Sequence, residues 1–225
     1  MKKFLSLLLV FLFVAATALA VEPANVFVTI TDGTGAMVLT CQSVAVTDAD
    51  EDGALTINDA LLCAHAANHE KGAEAYQSAT TEYGLSMTRL WDEENGGSYG
   101  YYVNDASAWS LLDPVKEGDH VKAFVYTDLT AWSDTYTFFN APMLTVKAGE
   151  ATELTLSAAG YDETYAPITL AVEDAAITIN GEAANLTTDA QGKVSLTLTD
   201  AGVYTISATS TSMTLVAPVC IITVE

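Results

Sequence analysis

The chain has 225 residues, half of them apolar, and sets 29 acidic side chains against 8 basic ones for a formal charge of −21. Such a surface repels nucleic acid and anionic membranes and favours cations. The apolar content and the many β-branched residues exclude a disordered acidic tail and are enough for one large or two ordinary domains.

Lys2 and Lys3 precede an apolar run from Phe4 to Ala16 and the small-x-small sequence Ala18-Leu19-Ala20. These are the three parts of a secretory signal peptide over residues 1–20. The apolar run is too short for a transmembrane helix, so the mature chain is expected to begin near Val21, exported and without membrane insertion. Three cysteines, an odd number, leave at least one unpaired in a monomer. Cys41 and Cys63 flank an acidic segment and form the candidate bridge, whereas Cys220 lies in an apolar run and reads as a buried thiol.

The period-two pattern over 25–31, a turn cluster at 32–35 and a second apolar run over 37–46 predict a β-hairpin. The most specific stretch follows: Asp48-Ala49-Asp50-Glu51-Asp52-Gly53-Ala54-Leu55-Thr56-Ile57-Asn58-Asp59. Carboxylates occupy positions 1, 3, 5 and 12 of this window, with glycine at 6 and an aliphatic residue at 8. That spacing matches an EF-hand-type calcium loop, which gathers six to eight hard oxygen ligands around a sharp turn. The expected metal ligands are Asp48, Asp50 and Asp52, the Ala54 carbonyl, Thr56 and Asp59. The cofactor expected is one structural calcium ion. Asp replaces the usual bidentate Glu at position 12, and a strand rather than a helix precedes the loop, so a paired calcium switch is not expected.

Apolar residues at helical spacing over 57–68, opened by the capping-box pair Thr56 and Asp59, predict the one clear helix. A second short helix is expected over 74–81, then strands over 86–91, 99–103, 120–126 and 136–139. A linker is expected around Asn140-Ala141-Pro142. Beyond it, about seven short strands at 144–146, 151–158, 168–172, 176–179, 194–198, 202–208 and 219–224 fit a β-sandwich. Asn180-Gly181 and Gln191-Gly192 are read as hairpin turns. The fold class is thus mainly β with one helix (α+β), with domains at 24–140 and 143–225.

Two other patterns weigh little. Gly96-Gly97-Ser98-Tyr99-Gly100 spells G-x-S-x-G but lacks the strand-to-helix setting of a nucleophile elbow. His65 and His69 are spaced as zinc ligands on a helix, but Ala66 stands where a zincin has its glutamate. All three tryptophans and many of the tyrosines and phenylalanines fall between residues 91 and 139, mostly as core, with Trp109 and Trp132 the best surface candidates.

Thr188-Asp189-Ala190-Gln191-Gly192-Lys193-Val194 and Ala201-Gly202-Val203-Tyr204-Thr205-Ile206-Ser207-Ala208 resemble the repeats of bacterial immunoglobulin-like surface domains. That resemblance implies a spacer or adhesive module. Thr56-Ile57-Asn58-Asp59-Ala60-Leu61, Tyr99-Gly100-Tyr101-Tyr102-Val103-Asn104 and Val115-Lys116-Glu117-Gly118-Asp119-His120-Val121 resemble the domain shared with the C-terminal part of transcobalamin and intrinsic factor. That one implies a β-grasp-like fold. The acidic loop also resembles half of a dockerin repeat, without the second loop a dockerin needs. Together these imply a secreted, non-enzymatic binding or adhesion module whose partner is an extracellular protein, glycan or small molecule. The alternative is a binder of a corrinoid, another planar ligand or a carbohydrate.

Overall fold

The computed structural model describes residues 21–225, so the expected signal peptide at 1–20 lies outside the described residues. The alternating apolar residues near the start form β1 (Ala24–Thr31) and β2 (Met37–Val46), paired antiparallel. A slip in register between Val28 and Ile30 places Cys41 at φ 45°, where its amide donates to Thr29 Oγ1 at 2.9 Å. Helix α1 (Ile57–Asn68) follows the acidic loop. Gly72–Ala75 is a single 3-10 turn, and the expected second helix is instead an antiparallel pair, β3 (Gln77–Thr81) with β4 (Gly84–Arg89). The Thr80-Thr81 end of that segment favours extended backbone, and Gly84 at φ 104° reverses the chain.

β5 (Tyr99–Val103), the short β6 (Ala106–Ser107) and β7 (His120–Val125) complete the first sheet, in the order β2-β1-β7-β5-β6. β7 lies parallel to β1 and antiparallel to β5. Helix α1 covers one face. Its Ile57, Ala60, Leu61 and Ala64 are buried in one cluster with Val26, Val28 and Ile30 of β1 and Val121, Ala123 and Val125 of β7. This alternation of inward side chains is what a sheet with one covered face requires.

The remaining strands are β8 (Thr135–Phe139), β9 (Met143–Val146), β10 (Ala151–Tyr161), β11 (Pro167–Ala171), β12 (Ala176–Ile179), β13 (Glu182–Thr187), β14 (Lys193–Thr197), β15 (Gly202–Thr209), β16 (Leu215–Val216) and β17 (Cys220–Val224). One sheet runs β11-β10-β8-β16, with β14 also on β10, and the other runs β13-β12-β15-β17-β9. Leu154, Leu156, Val194 and Leu196 of the first face Ile177, Ile206, Cys220 and Ile222 of the second in a common core. The strand pairing is of immunoglobulin type. β10 joins β8 and β14 in one sheet, β15 joins β12 and β17 in the other, and β9 lies parallel to the final strand.

Three further details differ from the sequence-based expectations. β13, hidden in the Ala-rich Glu182-Ala183-Ala184, is an additional strand, closed on β12 by Asn180 and Gly181, both at positive φ as a type I′ turn demands. The turn at Gln191-Gly192 is not a hairpin, because β13 and β14 belong to different sheets. β8 precedes the expected linker yet is hydrogen-bonded to β10 of the second core. A third cluster, Phe124 with Tyr136 and Val216, therefore links the two cores, and the rings of Tyr102 and Tyr136 stack with centroids 3.5 Å apart. Beneath them Lys122 and the Tyr136 hydroxyl both donate to Asp105 Oδ1, at 2.5 and 2.7 Å. Gly100 allows the Phe124 ring to sit over the backbone, since a Cβ there would stand 2.1 Å from the ring.

Candidate functional site

The acidic loop is suspended between β2 and α1. The first amides of α1 do not point to solvent: Ile57 and Asn58 donate to the carbonyls of Asp113 and Leu111, and the Val115 amide returns to Leu55. Thr56 and Asp59 close a capping box, with the Thr56 amide and hydroxyl donating to Asp59 Oδ2 at 3.0 and 2.7 Å. Asp59 is fully buried, and its other oxygen accepts from the Ala49 amide at 2.8 Å. One carboxylate thus fixes both ends of the loop, a use that also suits the positive end of the helix.

Inside that frame the backbone curls around Asp48. Its Oδ1 accepts from the Asp52 amide and its Oδ2 from the Gly53 amide, each at 3.0 Å. Asp52 Oδ1 accepts from Ala54, and Gly53 sits at φ 90°, where only glycine is unstrained. Asp50 Oδ2 accepts from Asn58 Nδ2 at 2.9 Å, and Asn58 Oδ1 accepts from the buried Tyr76 hydroxyl at the same distance. Burial pushes the Tyr76 hydroxyl up, so it stays a donor at ordinary pH. The outcome is that one carboxylate oxygen from each of Asp48, Asp50 and Asp52 lies within 4.8 Å of the others. Asp59 is not part of this group; its oxygens and the Thr56 hydroxyl close the cap. Asn58 and Tyr76 were not singled out in the sequence. Nothing in the 48–59 pattern marks a residue inside the helix as the support of a loop carboxylate.

The other singled-out residues have structural partners. His65 Nδ1 meets the Leu61 carbonyl at 2.6 Å and its Nε2 accepts from the Trp91 amide at 3.0 Å. A carbonyl only accepts and an amide only donates, so the ring is the neutral Nδ1–H tautomer. Burial holds its pKa down to about 4. The same holds for His120, at about 4, whose Nε2 lies 2.8 Å from Thr29 Oγ1. Ser98 directly precedes β5, with Oγ accepting from Trp132 Nε1 at 3.3 Å. Cys41, Cys63 and Cys220 are all free thiols, so the candidate Cys41–Cys63 bridge is absent. Cys63 instead rests near Thr47, with its sulfur 3.8 Å from the hydroxyl. Cys220 is buried as expected, and burial raises its thiol to about 12.

Trp109 and Trp132 are exposed, as their polar surroundings suggested. Trp109 borders a cleft of about 340 Å³ between the β5–β6 edge and the β10–β11 hairpin, lined also by Tyr102, Asp105, Tyr161 and Tyr165. Among the described residues no helix is long and apolar enough to cross a membrane.

No family model matches the chain, and no curated protein does. Similar solved structures include crystal structures of the N-terminal four immunoglobulin domains of Dscam1. Isoform 6.9 is 10% identical with a TM-score of 0.25, over 67% of this chain and 36% of that one. Isoform 4.4 is 9% identical with a TM-score of 0.25, over 92% and 46%. Isoform 8.4 is 9% identical with a TM-score of 0.25, over 91% and 47%. The chain spans less than half the length of these structures, and at such scores the likeness carries no argument. The immunoglobulin-type assignment of the second core rests on its own strand pairing.

Proposed function

We propose that the chain is a secreted, extracellular, surface-associated binding or adhesion module without enzymatic activity, pinned by one structural calcium ion. Two domains, 24–140 and 143–225, carry it, with β8 of the first built into a sheet of the second. The sheet order β2-β1-β7-β5-β6, with a parallel central pair and one helix across a face, supports a β-grasp assignment for the first. The observation that carries the calcium reading is the convergence of Asp48, Asp50 and Asp52 around a backbone already curled by its own amides. Three hard carboxylates fit calcium, with the Ala54 carbonyl as the expected backbone ligand and water completing six to eight oxygens. Thr56 and Asp59 hold the frame in place of ligating. Bringing three like charges together is unfavourable unless a cation neutralises them. The ion supplies that neutralisation; the residues supply the geometry.

Calorimetric titration of calcium into the mature protein tests this reading. One site is expected, with heat and a raised melting temperature, both lost in Asp50→Ala. Absence of heat together with an unchanged melting temperature would refute the metal site. A second reading, binding of a planar ligand or sugar, draws on the aromatic cleft beside Trp109. An absorbance titration with a corrinoid and a glycan array test it, and silence in both removes it.

A further inference from the structure

We propose that the cleft beside Trp109 is a saccharide site, in which an uncharged sugar lays its C–H face on an exposed aromatic ring and donates a hydroxyl proton to Asp105. This deepens the sugar reading of the same cleft and rests on it. The floor is the outer face of the sheet that holds β8, β10 and β11. Leu156, Ala158 and Phe139 turn into the second core, so by alternation Ala159, Tyr161 and Phe138 turn out. Thr169 pairs with Ala159 and shares its face. The short side chains of Ala159 and Thr169 thus lie low beside the rings of Phe138 and Tyr161. The facing wall is the tip of the β5–β6 turn, with Asp105 and Ser107, followed by Trp109. Trp109, Tyr165 and Tyr161 are 96%, 87% and 62% exposed, far beyond what core aromatics show. Such rings offer flat apolar faces with polar tips, which suits a ligand that is apolar on one face and hydroxylated at its rim.

The second observation is a carboxylate fixed in place with one oxygen to spare. Asn104 and Asp105 sit at φ 50° and 64°, a backbone conformation that is uncommon outside glycine and must be held. The Asn104 side chain holds it, donating to Asp119 Oδ1 at 2.8 Å and accepting from the His120 amide at 2.9 Å. Asp105 Oδ1 accepts from both Lys122 and the Tyr136 hydroxyl. Among the described residues nothing donates to Asp105 Oδ2, and the hydroxyls of Ser107 and Thr169 at the same cleft are likewise unused by the protein. Burial pushes the Tyr102 hydroxyl, also on the wall, up to about 12, so it remains a neutral donor. A preorganised acceptor and several free hydroxyls beside apolar ring faces match what a polyol presents.

The lining also decides against other occupants. Among the described residues no Lys, Arg or His lines the cleft, so an anion finds no partner in a chain that already carries −21. Lys122 meets the Asp105 charge from inside the fold, which leaves a cation little net charge to neutralise. The volume of about 340 Å³ is near the lower end of small-molecule sites, about 300–1,000 Å³, and fits a short stretch of saccharide better than a corrinoid.

The test uses the mature chain and titration calorimetry with cellohexaose, maltohexaose, xylohexaose and the hexamer of N-acetylglucosamine. Hexagalacturonic acid and tetramethylammonium chloride serve as the charged comparisons. At least one neutral oligosaccharide is expected to bind about tenfold or more tightly than either charged probe. Trp109→Ala and Tyr165→Ala, both at exposed positions, should each weaken it by about tenfold with the melting temperature unchanged. Trp132→Ala, exposed but away from the cleft, should leave it unaltered. Asp105→Asn should weaken it too; where loss of the Lys122 partner unfolds that variant, the Trp109 and Tyr165 substitutions carry the test. Sugar binding indifferent to Trp109→Ala and Tyr165→Ala would overturn the cleft as the site while leaving the sugar reading intact. Tighter binding of hexagalacturonic acid or of tetramethylammonium would overturn the uncharged ligand. No binding of any of the four neutral sugars would overturn the proposal, and a silent corrinoid titration and glycan array would then remove the second reading as well.

Discussion

Acidification from pH 7.5 to 5 should destabilise the fold through His65 and His120. Both rings are buried and neutral, with pKa values near 4. For His65 the causes are burial first and the neighbouring His69 second, opposed by the Leu61 carbonyl. For His120 they are burial and then Lys122, opposed by Asp105. In the unfolded chain a histidine titrates near 6.5. Between these values the unfolded state binds protons that the folded state refuses, so stability falls as pH falls through 6.5 and stops falling near 4. At pH 5 each ring contributes a loss of about 2 kcal/mol, about 4 kcal/mol for the pair. The protonated His65 would also set an N–H against the Trp91 amide. The window ends at pH 5 because below it the carboxylates of this acidic chain begin to titrate and relieve its self-repulsion. Urea unfolding followed by circular dichroism at half-unit steps measures the slope, and proton NMR of the two imidazoles reads each titration directly. A stability independent of pH between 7.5 and 5, or rings titrating near 6.5 in the folded protein, would refute the argument.

Asp59→Ala removes the acceptor of three donors at the loop and the helix start. It should cost about 2–4 kcal/mol in urea unfolding; a cost below about 1 kcal/mol would mean that the cap does not hold the loop. Gly100→Ala forces the Phe124 ring away from the backbone and should cost about 1–3 kcal/mol, while leaving calcium affinity unchanged. In the folded protein a thiol reagent should modify Cys63 and leave Cys220 untouched until denaturant is added, with mass spectrometry identifying the sites. Rapid labelling of Cys220 in the native state would contradict its place in the second core.

Much of the local structure was legible from the residues. Helix α1 runs over the predicted 57–68, because the capping box and the apolar stripe point to the same boundaries. β1, β2, β5 and β12 were read from alternation or composition in the same way. The failures came where tertiary context overrides the local signal. Gln77–Thr81 is a strand only because β4 pairs with it. Glu182–Thr187 lacks strong β formers and is held by β12. The strand over 136–139 was legible, but no local signal assigns β8 to the second core, since its Tyr136 and Phe139 side chains turn to different clusters. At the loop, the three carboxylates of positions 1, 3 and 5 were visible as a spacing. The diversion of Thr56 and Asp59 into the cap was visible only as a competing motif at the same residues. The support of Asp50 by Asn58 and Tyr76 depends on a contact across 18 residues of chain and leaves no mark in the pattern.

The central claim is that calcium clamps the strand-to-helix corner locally and leaves the rest of the molecule as it is. A nitrogen–proton correlation spectrum of the mature protein, recorded with and without calcium, tests it most directly. The account predicts shifts confined to residues 48–59 and the first turn of α1, with the Gly53 amide among them and the amides of β11 unmoved. A spectrum identical in both conditions, or one changed throughout the second core, would contradict it.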